Sequence, residues 1–347
     1  MPRRSSNPIV RILLKQRGRL TKLLILTHNH PDPDAIASAW ALAYLAEHLC
    51  GIRTKIVYGG VIARMENRTL VRILRVPIRP FKAKDLANDM PVAMVDTQPP
   101  FQNNCFPARR HATLVIDHHP RHAKTVADFT CIDEEAGATA TLFAEALLAA
   151  GLEVPTRLAT ALVYGIGSET QNLGREAGQR DIAAYRTFFS KVNMRTLAKI
   201  QNPPRPHSFF YTLAKAIHQA FVFRQVIGVH LGLTTSQDVV AHMADFLLTH
   251  EKISWSIVTG RYKERLYISL RTRNRRAKAG RLLWRLLGSG TSAGGHAMIA
   301  GGSIPVGEHA SQREWELAER RLTAAFLRSQ GYKEPFQFQY PYRKEKA

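Results

Sequence analysis

The chain of 347 residues is 45% hydrophobic and 22% charged, which excludes a mainly disordered chain or a repeat fibre and gives room for about two domains. No apolar stretch reaches the roughly 20 residues of a membrane span, and the scattered Cys50, Cys105 and Cys131, with no CxxC pair, exclude a disulfide framework and fit a reducing, cytoplasmic setting. Lys and Arg number 49 against 27 Asp and Glu, and a net charge of +22 points to a polyanionic partner: nucleic acid, nucleotides, polyphosphate or an anionic membrane surface.

The stretch to Lys22 carries seven basic residues and no acid. It reads as a basic amphipathic lead-in helix; a transit peptide shares that composition, but a secretory signal does not. Short Val/Ile/Leu-rich runs then alternate with helical patterns, the mark of parallel βαβ units. Strands are expected at Lys22–Thr27, Thr54–Tyr58, Val92–Val95 and Thr113–Ile116, and helices at Ala35–Leu49 and Ala138–Ala150, the latter stopped by Gly151. The expected fold is α/β: a doubly wound, mostly parallel sheet followed by a smaller α/β domain, with the active site in the cleft between them. Three prolines in QNPPRPH mark a linker at 201–207 between domains at 1–200 and 208–347. Beyond it, Val222–Leu233, Ser254–Thr259 and Arg265–Thr272 read as strands, Asp238–Thr249 and Ala277–Leu287 as helices, and Gly288–Gly302 as a glycine-rich loop.

Four acidic or histidine clusters fall where strands are expected to end: His28 to Asp34 (HNHPDPD), Asp96 in VAMVDTQ, Asp117-His118-His119, and Glu169 in YGIGSETQNLG. Ligands of an open parallel sheet bind beyond the carboxyl ends of its strands, so these segments converge. Carboxylates with imidazoles suit Mn²⁺, Mg²⁺ or Zn²⁺, and so many carboxylates in one cleft would repel each other without cations. There are enough donors for two ions, and two ions about 3.5–4 Å apart stabilise both the attacking and the leaving oxygen in phosphoryl hydrolysis. Singly, HNHPDPD reads equally well as a turn with Asp34 as an N-cap, and Asp96 as a strand-end turn. Their conjunction favours a metal site.

These motifs resemble the DHH phosphoesterase family, named for the triplet found here at Asp117-His118-His119. HNHPDPDAIAS is similar to its HxNPDGDAxGS motif, VAMVDTQ to its second and GIGSETQNLG to its fourth. ISLRT at Ile268–Thr272 and SAGGHAMIAGG at Ser292–Gly302 resemble the DHH-associated domain with its GGGHxxAAG signature. The resemblance implies that His28 and Asp32 hold one Mn²⁺, that Asp34 and His118 hold the other, and that Asp96 bridges both. Glu169 stands where the family has a metal-binding Asp and is counted with the metal set, its longer side chain reaching the ion, binding through water or not binding. It implies that His119 contacts the scissile phosphate while Asp117 anchors the histidine pair, with in-line attack by a water whose pKa the ions lower. His30 replaces the usual Asn, Pro33 replaces the usual Gly, and Ser38 matches the first-motif serine. Glu66-Asn67-Arg68 is similar to a stretch in the smaller members and reads equally as a surface ion pair.

In the second domain, Arg271, Gly294, Gly295 and His296 are the expected substrate contacts. Ten basic residues between Arg261 and Arg285 could line a polyanion track. The resemblance is nearest to the nanoRNase/pAp phosphatase branch, in which dimers are common. It implies hydrolysis of short RNA or DNA oligonucleotides or of nucleotides such as 3′-phosphoadenosine 5′-phosphate (pAp), with no membrane partner. Two compact domains leave no space for the OB-fold of the larger exonucleases. Exopolyphosphatase-like hydrolysis, action on cyclic or linear dinucleotides, and a non-catalytic nucleic-acid-binding role stand as alternatives.

Overall fold

In KLLILT, Leu23 and Ile25 point to one side and Leu24 and Leu26 to the other, so this strand needs cover on both faces. The computed structural model describes residues 7–343 except Ala63, Asn88, Gln102, 289–291, His296 and Glu308, and except the side chains of Arg275 and Ser292. In it β1 (Lys22–Thr27) lies inside a six-stranded sheet with β2 (Arg53–Tyr58), β3 (Ile78–Pro80), β4 (Val92–Val95), β5 (Ala112–Asp117) and β6 (Ala127–Ile132). The order is β3-β2-β1-β4-β5-β6 and every pairing is parallel. The chain moves outward from β1 to β3, returns to β4 and moves outward again to β6. The carboxyl ends of β1 and β4 therefore flank the switch point, where such sheets hold ligands.

Seven helices belong to this unit: α1 (Pro8–Gln16), α2 (Pro33–Cys50), α3 (Met65–Leu74), α4 (Thr139–Ala150), α5 (Thr156–Glu169), α6 (Gln179–Phe189) and α7 (Met194–Gln201). Leu23, Ile25, Val95 and Ile116 share one large core with helical residues such as Ile36, Leu42, Phe143 and Leu162. Leu24, Leu26, Val57, Met94 and Val115 form a smaller core on the other face, covered by Phe106 with Phe81 and Leu86. Among the described residues the β4–β5 and β5–β6 connections contain no helix, so no α-helix from them covers that face. The basic lead-in is α1, capped by Asn7 and burying Ile9, Val10 and Leu13.

Glu169 departs from expectation, since it ends α5 and not a strand. Leu158, Leu162 and Ile166 recur every four residues, a helical period that the short reading of GIGSE passed over. The chain divides between Pro203 and Pro204 into two units, and Asn202–Pro206 separate α7 from α8 (His207–Gln219).

The second unit has the sheet order β11-β12-β10-β9-β8-β7. Its strands are β7 (Phe221–Phe223), β8 (Val226–Leu233), β9 (Trp255–Tyr262), β10 (Arg265–Thr272), β11 (Ser292–Gly295) and β12 (Ile299–Pro305). Its other helices are α9 (Gln237–Leu247), α10 (Ala279–Leu287) and α11 (Gln312–Ser329). Among the described residues only β8 and β9 pair in parallel here, and α9 makes their crossover. Two expectations change here. The run Val222–Leu233 is broken at Arg224, whose φ of 55° starts a hairpin. The segment 288–302 is no loop for most of its length: β11 pairs antiparallel with β12, placing Gly294 opposite Gly301 and Gly295 opposite Ala300.

Candidate metal centre

The segment after β1 is shaped by Asp32 and Pro33. Asp32, not Asp34, is the N-cap of α2, with Oδ1 accepting from Ala35 N at 2.9 Å and Pro33 pre-set at the first helical position. Asp32 Oδ2 is left facing Nε2 of His28 at 3.7 Å. Asp34, in the first turn of the helix and 1% exposed, reaches across to the start of α4. There its two oxygens accept from Thr139 N at 2.8 Å and Ala140 N at 2.7 Å. Ser38 also donates to it, at 3.3 Å.

Asp96 lies between two donor groups and is held at φ 59°, a strained region for a non-glycine residue. Its Oδ2 is 3.6 Å from His28 Nε2, and its Oδ1 is 3.7 Å from His118 Nε2. Thr139 Oγ1 donates to Oδ1 at 2.8 Å, so the first residue of α4 holds both buried aspartates. Asp34 Oδ2 lies 3.9 Å from His118 Nε2. Among the described residues, two sets of donors lie within 4.8 Å of one another: His28, Asp32 and Asp96; and Asp96, His118 and His119. They share Asp96.

These separations are too long for hydrogen bonds. Ligands each about 2.0–2.2 Å from one ion lie roughly 3–3.6 Å apart, close to what is seen. The tautomers agree. His118 Nδ1 contacts Ala136 O at 3.2 Å and His28 Nδ1 contacts Asn29 O at 2.9 Å, so each ring donates from Nδ1 and turns Nε2 inward. His118 Nε2 is buried with no hydrogen-bond partner and faces two carboxylates, an arrangement that a cation completes.

The electrostatics carry the same sign. Burial, followed by the charges of Asp96, Asp32 and Glu169, raises the Asp34 carboxyl well above its ordinary range. Burial and the charges of Asp32 and Asp96 push Glu169 up to about 7. Burial opposes a charge on His28, yet its contacts with Asp32 and Asp96 win and raise it. The field of this cluster thus favours positive charge among these donors, as a divalent ion would bring.

The third motif is built differently. Asp117 is fully buried, and its Oδ1 accepts from His119 Nδ1 at 2.8 Å and His119 N at 3.2 Å. Its Oδ2 accepts from Gln98 Nε2 at 2.8 Å. Burial would lower the His119 pKa, but the bond to Asp117 and the charges of Asp96, Asp117 and Glu169 push it to about 9. Glu169 is itself bonded by Arg175, whose Nη2 donates to Glu169 O at 2.7 Å and approaches Oε1 at 3.5 Å. Gly165, one turn earlier, lets α5 approach α2, because a Cβ there would sit 3.0 Å from Pro33 O. His30 turns away from the cluster toward the 59–61 segment, with Nδ1 against Val61 O and N.

Thr139 and Gln98, to which the sequence motifs give no role, hold the site, and so does Asn67 of the Glu66-Asn67-Arg68 stretch. Asn67 is buried and donates to Pro31 O at 3.2 Å, pinning the His28–Asp34 turn. Asn67→Ala is expected to cost about 1 kcal/mol and roughly 2–4 °C in melting temperature, and to weaken divalent-ion binding. Melts with and without the ion check both effects.

The expected substrate contacts lie in the second unit and are not equivalent. Arg271 requires correction: it is 3% exposed, pairs with Asp245 and donates to Ser269 Oγ at 2.6 Å and to Leu270 O at 3.0 Å, so its fork is spent inside the protein. Arg261, from the expected track, is likewise buried and bonded to Glu319 at 3.1 and 3.0 Å. Gly295 serves packing, since a Cβ there would lie 2.1 Å from Ile299 O, while Gly294 is exposed with open space beside it. His296 lies outside the described residues.

Residues 22–166 match the DHH family N-terminal domain and residues 219–321 the DHHA1 domain. The uncharacterized protein MJ1633 of Methanocaldococcus jannaschii is 34% identical over 318 residues, which cover 90% of this chain and 65% of that protein. The probable manganese-dependent inorganic pyrophosphatase of Streptococcus pyogenes is 26% identical over 158 residues, 44% of this chain and 49% of that one. An exopolyphosphatase-related protein from Bacteroides fragilis shares the fold with a TM-score of 0.71 at 15% identity, covering 92% of this chain and 96% of that one. The chain spans about two thirds of the first of these relatives and half of the second, so its length carries no argument about accessory domains. No helix among the described residues is long and apolar enough to cross a membrane. With a DHH domain followed by a DHHA1 domain, the chain belongs to the DHH family of phosphoesterases.

Proposed function

We propose that this protein is a Mn²⁺-dependent phosphodiesterase that hydrolyses very short RNA or DNA oligonucleotides, with pAp as a further substrate. The observation that carries the reading is the inward-turned, unpartnered Nε2 of His118 facing Asp34 and Asp96, with Asp96 offering its other oxygen to His28. His28 and Asp32 would hold one ion, Asp34 and His118 a second, and Asp96 both. Bound there, the ions supply Lewis-acid polarisation of a phosphoryl group and a water of lowered pKa. His119, fixed at Nδ1 by Asp117 and kept protonated up to about 9, would donate from Nε2 to a phosphoryl oxygen, matching charge that grows in the transition state. Glu169 adds negative charge beside Asp32 and Asp96 and is steadied by Arg175.

The net charge of +22 and the DHHA1 domain favour an oligonucleotide over a small anion. The similarity to the streptococcal pyrophosphatase favours a second reading, phosphoanhydride hydrolysis with the same ions. One assay panel separates them: RNA dinucleotide, long RNA, pAp, linear and cyclic di-AMP, pyrophosphate and polyphosphate, each with Mn²⁺ and with chelator. Rapid dinucleotide cleavage that chelator abolishes and Mn²⁺ restores is the expected result. Preference for pyrophosphate or polyphosphate would replace the substrate assignment and leave the metal centre standing. Activity that survives exhaustive chelation would overturn the metal-dependent reading.

A further inference from the structure

Neither the metal centre nor core packing accounts for the outer face of α10. Its sequence, AGRLLWRLL, turns Ala279, Gly280, Leu282 and Leu283 inward. Gly280 seats the helix directly on β11, since a Cβ there would lie 2.4 Å from Gly295 O. The opposite stripe is Lys278, Arg281, Trp284 and Arg285, all exposed, with Arg281 spaced as a neighbour of both the indole and Arg285. Trp284 is 56% exposed, whereas Trp255 is 7% exposed. From Arg265 to Gly307 the chain has eight Arg or Lys and no Asp or Glu.

The placement works against the helix itself. The first turn of α10 contains no acid, and Arg281 and Lys278 stand at its positive end, with Lys278 held at φ 50°. Lys278 and Arg281 there oppose the macrodipole, so they do not serve helix stability, while Arg285 in the last turn is placed as the dipole favours. A second copy of the chain would set like charges against each other across a twofold axis. An anionic bilayer would satisfy the cations but give one isolated indole little apolar company. A single-stranded nucleic acid satisfies both, with its bases open to stacking and its phosphates to the arginines.

We propose that this face of α10 is a platform for single-stranded nucleic acid: Trp284 stacks on a base while Lys278, Arg281 and Arg285 take the flanking phosphates. It rests on the oligonucleotide reading above and adds a hold on the strand within the second unit. The test uses the full chain in excess chelator, so that hydrolysis does not enter, with a labelled oligouridylate of about 12 nucleotides, within the range such grooves bind. Fluorescence anisotropy should give roughly tenfold weaker binding for Trp284→Ala and near-native binding for Trp284→Phe, which keeps a stacking ring. The Arg281→Ala/Arg285→Ala double variant should flatten the plot of log K against log salt by about 1.4, two phosphates' worth on a single strand. Unchanged affinity in Trp284→Ala, or equal loss in Trp284→Phe, would overturn the platform. So would sedimentation showing that Trp284→Ala dissociates a dimer, or tighter binding to phosphatidylserine vesicles than to the oligonucleotide. A chain that binds the strand through Trp284 yet cleaves no nucleotide would overturn the hydrolase reading and leave the platform in place.

Discussion

Asp96→Asn is expected to abolish hydrolysis, by at least about 10³-fold, while the metal-free protein becomes more stable. The two effects have one cause. Asp96 offers one oxygen to His28 and the other to His118, and its charge helps raise the carboxyls of Asp34 and Glu169. Asparagine keeps the oxygen that accepts from Thr139 and fits the same space, so packing is preserved. With one carboxylate gone, the remaining acids repel less, and without added ion the melting temperature should rise by a few degrees. Added Mn²⁺, which should raise the native melting temperature by mass action, should do little for the variant. Circular dichroism melts with and without Mn²⁺, run beside the hydrolysis assay, give all three readings. A variant that keeps its activity, or one that loses stability without the ion, would show that Asp96 is not the shared ligand.

Much of this centre is legible in the sequence because its parts sit where strands end. KLLILT, VAMV and TLVI announce themselves by apolar runs, and the acids directly after them share one end of a parallel sheet. What holds those acids is not legible. Thr139, Gln98 and Asn67 act through tertiary contacts: Thr139 bonds Asp96 across 43 residues and Asn67 bonds Pro31 across 36. Neutral side chains of this kind carry no local signature of the contact they make, and the Glu66-Asn67-Arg68 stretch does not say that Asn67 reaches Pro31. Asp181 is similar, a buried carboxylate accepting from Gly137 N and Gly178 N that ties the start of α4 to α6.

Charge misled in the opposite way. Arg261 and Arg271 stand in a strongly basic run and look like surface cations, yet Glu319 and Asp245, which pair with them, come from distant helices. A run of charges fixes the field around a segment and not the burial of each member. Alternation along the strand is the better guide, since Arg271 follows Tyr267 and Ser269 on one face of β10 while Leu266, Ile268 and Leu270 share the other. The same logic separates the exposed stripe of α10 from the buried arginines of β9 and β10.

Asp117→Asn should lower kcat by about 10²–10⁴-fold while leaving Mn²⁺-induced stabilisation intact, because it changes a tautomer and removes no ligand. Asp117 accepts on both sides, from His119 Nδ1 and from Gln98 Nε2. An asparagine has one oxygen for the side-chain donors on its two sides, so its amide must face one of them, and turned to His119 it also gives up the 3.2 Å bond from His119 N. Gln98 cannot turn to help, since its Oε1 already accepts from His122 N at 2.9 Å and Thr125 Oγ1 at 2.7 Å. The cheaper adjustment is for His119 to give up its Nδ1 proton and accept there, keeping only the proton on Nε2, which leaves the ring neutral and without the charge that Asp117 stabilises. Adding Gln98→Glu gives the asparagine amide an acceptor and lets its oxygen return to His119, so the double variant should recover part of kcat. Recovery with KM and Mn²⁺ stabilisation nearly constant throughout would assign Asp117 to the orientation and charge of His119. Loss of Mn²⁺ stabilisation in the single variant would instead place Asp117 among the groups that hold the ions.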